Sequence, residues 1–183
     1  MKPREHDARR LDVERFASDA GRLDGLWPLP GMPRLLDACH PEALPADADR
    51  VAWRAAGERR RHGVGESHAW LHLSLQTRMR LTCQRCLGPV ETPLVIDRWF
   101  HFVAGEQQAA QLDADVEEDV LASTRSLDLH ELAQDELLLA LPLVPRHDTC
   151  PKPLLPALDE ALSGSEAAPN AFAALAAIKR GAH

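Results

Sequence analysis

From His68 to Cys83 the chain alternates between apolar and polar side chains. Ala69, Leu71, Leu73, Leu75, Met79, Leu81 and Cys83 occupy odd positions, with Thr77 among them. His68, Trp70, His72, Ser74, Gln76, Arg78, Arg80 and Thr82 occupy even ones. A period of two predicts a strand with one face on a core and the other on water. The run is longer than an ordinary strand, which predicts a bend or a bulge within it. Val51 to Arg59 reads as a second strand, joined to the first through Arg60-Arg61-His62-Gly63-Val64-Gly65. Leu94 to Val103 reads as a third, after a turn holding Cys83, Cys86, Gly88 and Pro89. Short connections between successive strands predict an antiparallel meander. With the helices below, the fold class is α+β, an antiparallel sheet packed with a few short helices.

Helical periodicity is confined to the flanks. Residues 11–24 read as a short helix ending near Gly21, broken by Pro28, Pro30, Gly31 and Pro33. Arg34 to Cys39 reads as a second. Residues 105–125 read as polar, acidic loop with a short edge strand at Val116 to Leu121. The clearest helix starts at Asp128, with Glu131 three residues on as a capping box. Its apolar stripe is Leu129, Leu132, Ala133, Leu137, Ala140 and Leu141, and Pro142 ends it. Ala171 to Lys179 reads as a last short helix with Phe172, Leu175 and Ile178 on one side. The expected organisation is an N-terminal segment over 1–45, a core domain over 46–150 and a mobile tail with a docking helix over 151–183.

Composition narrows the class. At 183 residues, with 45% hydrophobic side chains, no Tyr and 4% aromatics, the core must be mainly Leu, Ala and Val. No run of about 18 apolar residues occurs, so no membrane span is expected. No apolar stretch follows the first charged residues, so a cytoplasmic chain with reduced thiols is expected. The net charge of −7 disfavours a whole-chain grip on nucleic acid. It is uneven, however. Residues 51–104 carry 8 basic and 4 acidic groups, whereas residues 105–150 carry 2 and 11. A local basic face therefore stays open. Arg78, Arg80 and Trp70 lie on the polar side of the long strand, and Arg59, Arg60, Arg61 and Arg85 lie on adjoining segments. Such a face can pair with phosphates and stack on bases, and an ordinary polar sheet face has the same look.

Cys83-Gln84-Arg85-Cys86 has the spacing of a zinc knuckle, in which two thiolates reach one ion across a tight turn. A closed site needs two more ligands, and His147-Asp148-Thr149-Cys150 supplies a His and a Cys. The two halves together would make one structural zinc site of Cys83, Cys86, His147 and Cys150, with Cys39 and His40 as competing ligands. The other reading leaves Cys83 a core residue and Cys86 a turn residue. A thioredoxin-type use is disfavoured, because a strand rather than a helix follows the motif. A zinc deaminase is disfavoured too, since Thr82 stands before Cys83 where the Pro-Cys-x-x-Cys signature needs a proline. No Walker loop, Gly-x-Gly-x-x-Gly, Gly-x-Ser-x-Gly or His-Glu-x-x-His occurs. Asp135 and Glu136 are adjacent on a helix, about 100° apart, and do not form a catalytic pair.

Three blocks in this order resemble the YceD family of large ribosomal RNA subunit accumulation proteins. They are Cys83-Gln84-Arg85-Cys86-Leu87-Gly88-Pro89, then Asp128 to His147 with Cys150, then Pro169-Asn170-Ala171-Phe172 to Lys179. The resemblance covers roughly residues 45–180, and Ala171 stands where the family often has a second Pro. It implies a non-enzymatic role in 23S ribosomal RNA accumulation and large-subunit assembly. The implied partners are 23S ribosomal RNA or its precursor and a large-subunit ribosomal protein, without a membrane. On that reading Asp135, Glu136, Phe172 and Lys179 are candidates for protein contact. The alternative is an acidic chaperone for a basic ribosomal protein with no RNA contact.

Overall fold

A computed structural model describes residues 6–62, 66–113, 116 and 118–151. The expected C-terminal helix, with Phe172 and Lys179, lies outside the described residues. Five strands form one sheet in sequence order: β1 (Arg22–Pro28), β2 (Arg50–His62), β3 (Glu66–Thr82), β4 (Pro89–Val103) and β5 (Asp119–Ala122). The first four pair antiparallel, and β5 runs parallel to β4. The helices are α1 (Val13–Ser18), α2 (Pro33–Leu36), α3 (Glu106–Asp113) and α4 (Leu129–Leu139). This is the expected α+β class with a largely antiparallel sheet.

The alternation read in β3 holds from Ala69 to Cys83 except at Trp70, which is buried on the opposite face. Ala69, Leu71, Leu73, Leu75, Thr77, Met79, Leu81 and Cys83 are all buried. They meet Val51, Trp53 and Ala55 of β2 and Leu94, Ile96, Phe100 and Phe102 of β4 in one core. Leu11, Val13, Phe16, Leu29, Met32 and Leu35 enter the same core, as do Leu129, Ala133 and Leu137 of α4. The N-terminal segment is thus part of the layer that covers the sheet. Gly57 allows α1 to sit directly on β2. A Cβ there would lie 2.6 Å from the Phe16 ring and 2.9 Å from the Ala17 amide nitrogen.

The bulge expected in β3 is not formed. Ala69 to Thr82 pairs residue for residue with Phe102 to Pro89, and Glu66 to Gln76 pairs likewise with β2. Its neighbours are long enough, at 13 and 15 residues, to give its backbone partners on both sides. Two further elements differ from expectation. β1 forms where the prolines suggested only a break, with Leu23, Gly25 and Trp27 facing inward. Residues 106–113, expected as loop, form α3. The cause is topological, because two parallel neighbours such as β4 and β5 need a crossover of a dozen or more residues, usually helical. Only Ala109 of α3 is buried, packing with Val103 and Val120 on the sheet face opposite the main core.

Asp128 caps α4 as expected, its carboxylate accepting from the backbone N–H of His130 and Glu131 at 2.9 and 3.2 Å. The helix closes at Ala140, before Pro142, and the chain then runs back past the β3–β4 turn. No helix among the described residues is long and apolar enough to cross a membrane.

Candidate metal centre

The β3–β4 turn is a compact thiol-bearing knuckle. The Cys83 N–H donates to the Gly88 carbonyl at 2.9 Å, and the Leu87 N–H donates to the Cys83 carbonyl at 2.9 Å. The left-handed position is Leu87, at φ 59°, and not the glycine that follows it. Gln84 N–H donates to the Pro145 carbonyl at 2.8 Å, which ties the turn to the segment after α4. That segment brings His147 and Cys150 against the knuckle.

Cys83, Cys86, His147 and Cys150 present one ligand atom each, all within 4.8 Å of one another. The Sγ atoms of Cys83 and Cys150 are 3.8 Å apart. His147 Nδ1 lies 3.5 Å from Cys86 Sγ and 3.9 Å from Cys150 Sγ. A tetrahedral ion with bonds of about 2.3 Å to sulfur and about 2.0 Å to nitrogen has edges of roughly 3.8 Å (S···S) and roughly 3.5 Å (S···N). The Cys83–Cys150 and Cys86–His147 separations match those edges, and the Cys150–His147 separation is longer than its edge by about 0.4 Å. Four side chains from two distant stretches therefore form a group that could hold a metal ion.

The surrounding hydrogen bonds prepare the ligands. His147 Nε2 lies 3.0 Å from the Pro89 carbonyl, which can only accept, so Nε2 carries the proton. That leaves the Nδ1 lone pair facing the thiols, the arrangement a metal-bound imidazole requires. Cys83 is buried, and burial alone would raise its thiol. Backbone N–H groups of Cys86, Arg85 and His147, with the Cys86 side chain, outweigh it and bring the thiol down to about 5. Cys86 is raised. The Gly88 N–H opposes this, but burial and the Cys150 and Cys83 thiols prevail. A lowered thiol at Cys83 favours the thiolate a cation needs, and metal binding to thiols releases protons.

Cys39 and His40 take other parts. The Cys39 Sγ lies 3.4 Å from the Leu35 carbonyl in the core, and burial raises its thiol. His40 Nδ1 accepts from the Glu42 N–H at 3.2 Å, so its Nε2 donates to the Leu87 carbonyl at 3.0 Å. The imidazole thus braces the knuckle from outside the four ligands. All four cysteines are free thiols.

The basic residues do not share one surface. Strand alternation puts Arg60, Trp70, Arg78 and Arg80 on the sheet face away from the main core, and Arg59 and Arg61 on the side of α1. Along β3, Trp70 and Arg80 are about 33 Å apart at ~3.3 Å per residue. Arg78 and Arg80 are exposed, with Glu91 at 2.9 Å and Asp49 at 3.4 Å. Arg59 pairs with Glu14 and bonds Ser67. Trp70 is buried and lies flat on His101 at 4.5 Å. The Arg60 guanidinium sits 4.7 Å from the Trp70 ring and 3.7 Å from that of Trp99, and Trp99 also stacks on His72. This stack of the chain's own side chains leaves Trp70 unsuited to receive a base. Of the acidic pair, Asp135 is half exposed and bonded to Arg34 at 2.6 Å. Glu136 is buried and holds Arg98 at 3.3 Å, while Arg98 also reaches Asp119 at 3.0 Å. Burial raises the Glu136 carboxyl against the opposing pull of Arg98.

The profile of the family described as "Large ribosomal RNA subunit accumulation protein YceD" matches residues 71–179. A Haemophilus influenzae protein named "Large ribosomal RNA subunit accumulation protein YceD" is 33% identical over 112 residues, covering 58% of this chain. The matched stretch spans 63% of that relative's length. No solved structure matches the chain.

Proposed function

The chain belongs to the YceD family, and on that premise we propose that it supports accumulation of the large-subunit ribosomal RNA as a non-enzymatic assembly factor in the cytoplasm. The family match over 71–179 carries this reading. Two features add to it. Arg78 and Arg80 stand exposed at the knuckle end of β3, each in a surface ion pair. Exposed pairs of this kind are worth only about 0–1 kcal/mol, so phosphates can replace Glu91 and Asp49 at little cost. Cys83, Cys86, His147 and Cys150 hold one structural zinc, which fixes the turn next to those arginines.

A second reading has one observation in its favour, the 11 acidic against 2 basic groups of residues 105–150. On that reading the protein is an acidic chaperone for a basic large-subunit ribosomal protein, with Asp135 among its contacts and Phe172 and Lys179 beyond the described residues.

The test is recovery of the tagged protein from growing cells, with and without ribonuclease, beside the variant Arg78→Glu/Arg80→Glu. Large-subunit RNA precursors that depend on both arginines support direct RNA contact. In binding assays the variant should flatten the slope of log affinity against log salt by about 2. A ribosomal protein retained after ribonuclease, equally by both forms, moves the assignment to the chaperone reading.

A further inference from the structure

Arg85 lies inside the Cys-x-x-Cys loop, where a basic side chain invites assignment to RNA. Its guanidinium points the other way. Nε donates to Cys150 Sγ at 2.9 Å, and Nη2 donates to the carbonyls of His147 and Asp148 at 2.9 and 3.2 Å. One side chain of the knuckle thus grips the second half of the cluster at three points. The planar fork suits this task, since its donors diverge at fixed angles, whereas an ammonium offers a single point charge.

The charge balance gives the contact a purpose. Three thiolates, one neutral imidazole and a divalent ion sum to about one negative charge. A guanidinium donating to one of the sulfurs cancels it within the site. A guanidinium is always charged in a protein, so this compensation needs no titration. The donation also occupies a sulfur lone pair that would otherwise face electrophiles.

We propose that Arg85 is a positioning residue of the metal centre, closing the His147–Cys150 half onto the knuckle and neutralising the metal–thiolate charge, rather than an RNA contact. This rests on the zinc reading of the cluster. It assigns a role to a residue that the four-ligand description leaves out. It also separates Arg85 from Arg78 and Arg80, whose exposed surface ion pairs phosphate can replace.

The experiment compares full-length wild type, Arg85→Gln and Arg85→Lys. Zinc affinity is read by chelator competition, cobalt-substituted protein by its thiolate-to-metal absorption, and the zinc-bound cysteines by their rate of alkylation with iodoacetamide. Arg85→Gln should bind zinc about 10- to 100-fold more weakly, as loss of an outer partner typically does. It should also shift the cobalt absorption and speed alkylation of Cys150. Arg85→Lys, keeping the charge but losing the fork, should recover part of the affinity. A variant that only loosened the fold would leave the cobalt band unmoved once loaded. Zinc affinity and cobalt spectra within twofold of wild type in both variants would overturn the role of Arg85. A wild type that takes up neither metal would instead overturn the zinc reading itself, and Cys83→Ser serves as the control for site loss.

Discussion

His130 shows how a single buried group sets a pH response. Its ring meets Trp27 edge-on at 5.0 Å, under the first turn of α4. Burial lowers its pKa, Arg9 adds to the effect, and Asp128 and Glu131 oppose it. In the unfolded chain the imidazole titrates near 6.5. Below that value the unfolded state binds the proton that the folded state refuses. Stability from this group is therefore complete above about pH 6.5 and is lost as pH falls through the folded value. His130→Gln should show a smaller drop in urea-denaturation stability between pH 7.5 and pH 5 than wild type. An equal drop in both proteins would assign the acid sensitivity elsewhere.

At the scale of elements, contact between α1 and β2 depends on the missing side chain of Gly57. A methyl group there meets backbone as well as the Phe16 ring. The helix must lift or the strand bend, so Gly57→Ala should cost about 1–3 kcal/mol, measured by chemical denaturation. Elements differ in how plainly the sequence announces them. β3 is legible because a face of Leu, Met and Ala alternates with His, Gln and Arg, and because only one of its faces packs into the main core. β1 is obscured because Leu26, on its outer face, is apolar and 64% exposed, while Gly25 sits on the inner one. α3 has no apolar stripe to read, since its crossover position rather than its burial makes it a helix. At the site, the Cys-x-x-Cys and His-x-x-Cys spacings identify all four candidate ligands, because ligand spacing is a local property. The brace from His40 and the grip of Arg85 are not local. They depend on how the Cys39–Leu81 bridge and the segment after α4 bring distant chain together.

Across the whole molecule, the cluster joins stretches that are 67 residues apart in the chain. A metal held there acts as a cross-link closing that loop, and since the unfolded chain has no preformed site it stabilises the fold through its binding free energy, about 4 kcal/mol when free metal is about 1,000-fold above its dissociation constant. Chelation under reducing conditions should lower the unfolding free energy by about that amount. Hydrogen exchange should rise first in the N–H of Gln84, which bonds Pro145 across the two halves. Unfolding curves that coincide with and without chelator would show that the segment after α4 holds its place by packing alone. The sheet core, formed by β2, β3 and β4 without any ligand atom except Cys83, should persist in either case.

The spacing of the two halves also imposes a timetable. The knuckle leaves the ribosome well before its partners, since 61 residues separate Cys86 from His147. At translation rates of about 5–20 residues per second, that is a delay of roughly 3–12 s. For this interval the nascent chain carries the Cys83 and Cys86 thiols without the other two ligands of the cluster. Only when Cys150 emerges can the four groups converge, so completion of the cluster reports that translation has passed the end of α4.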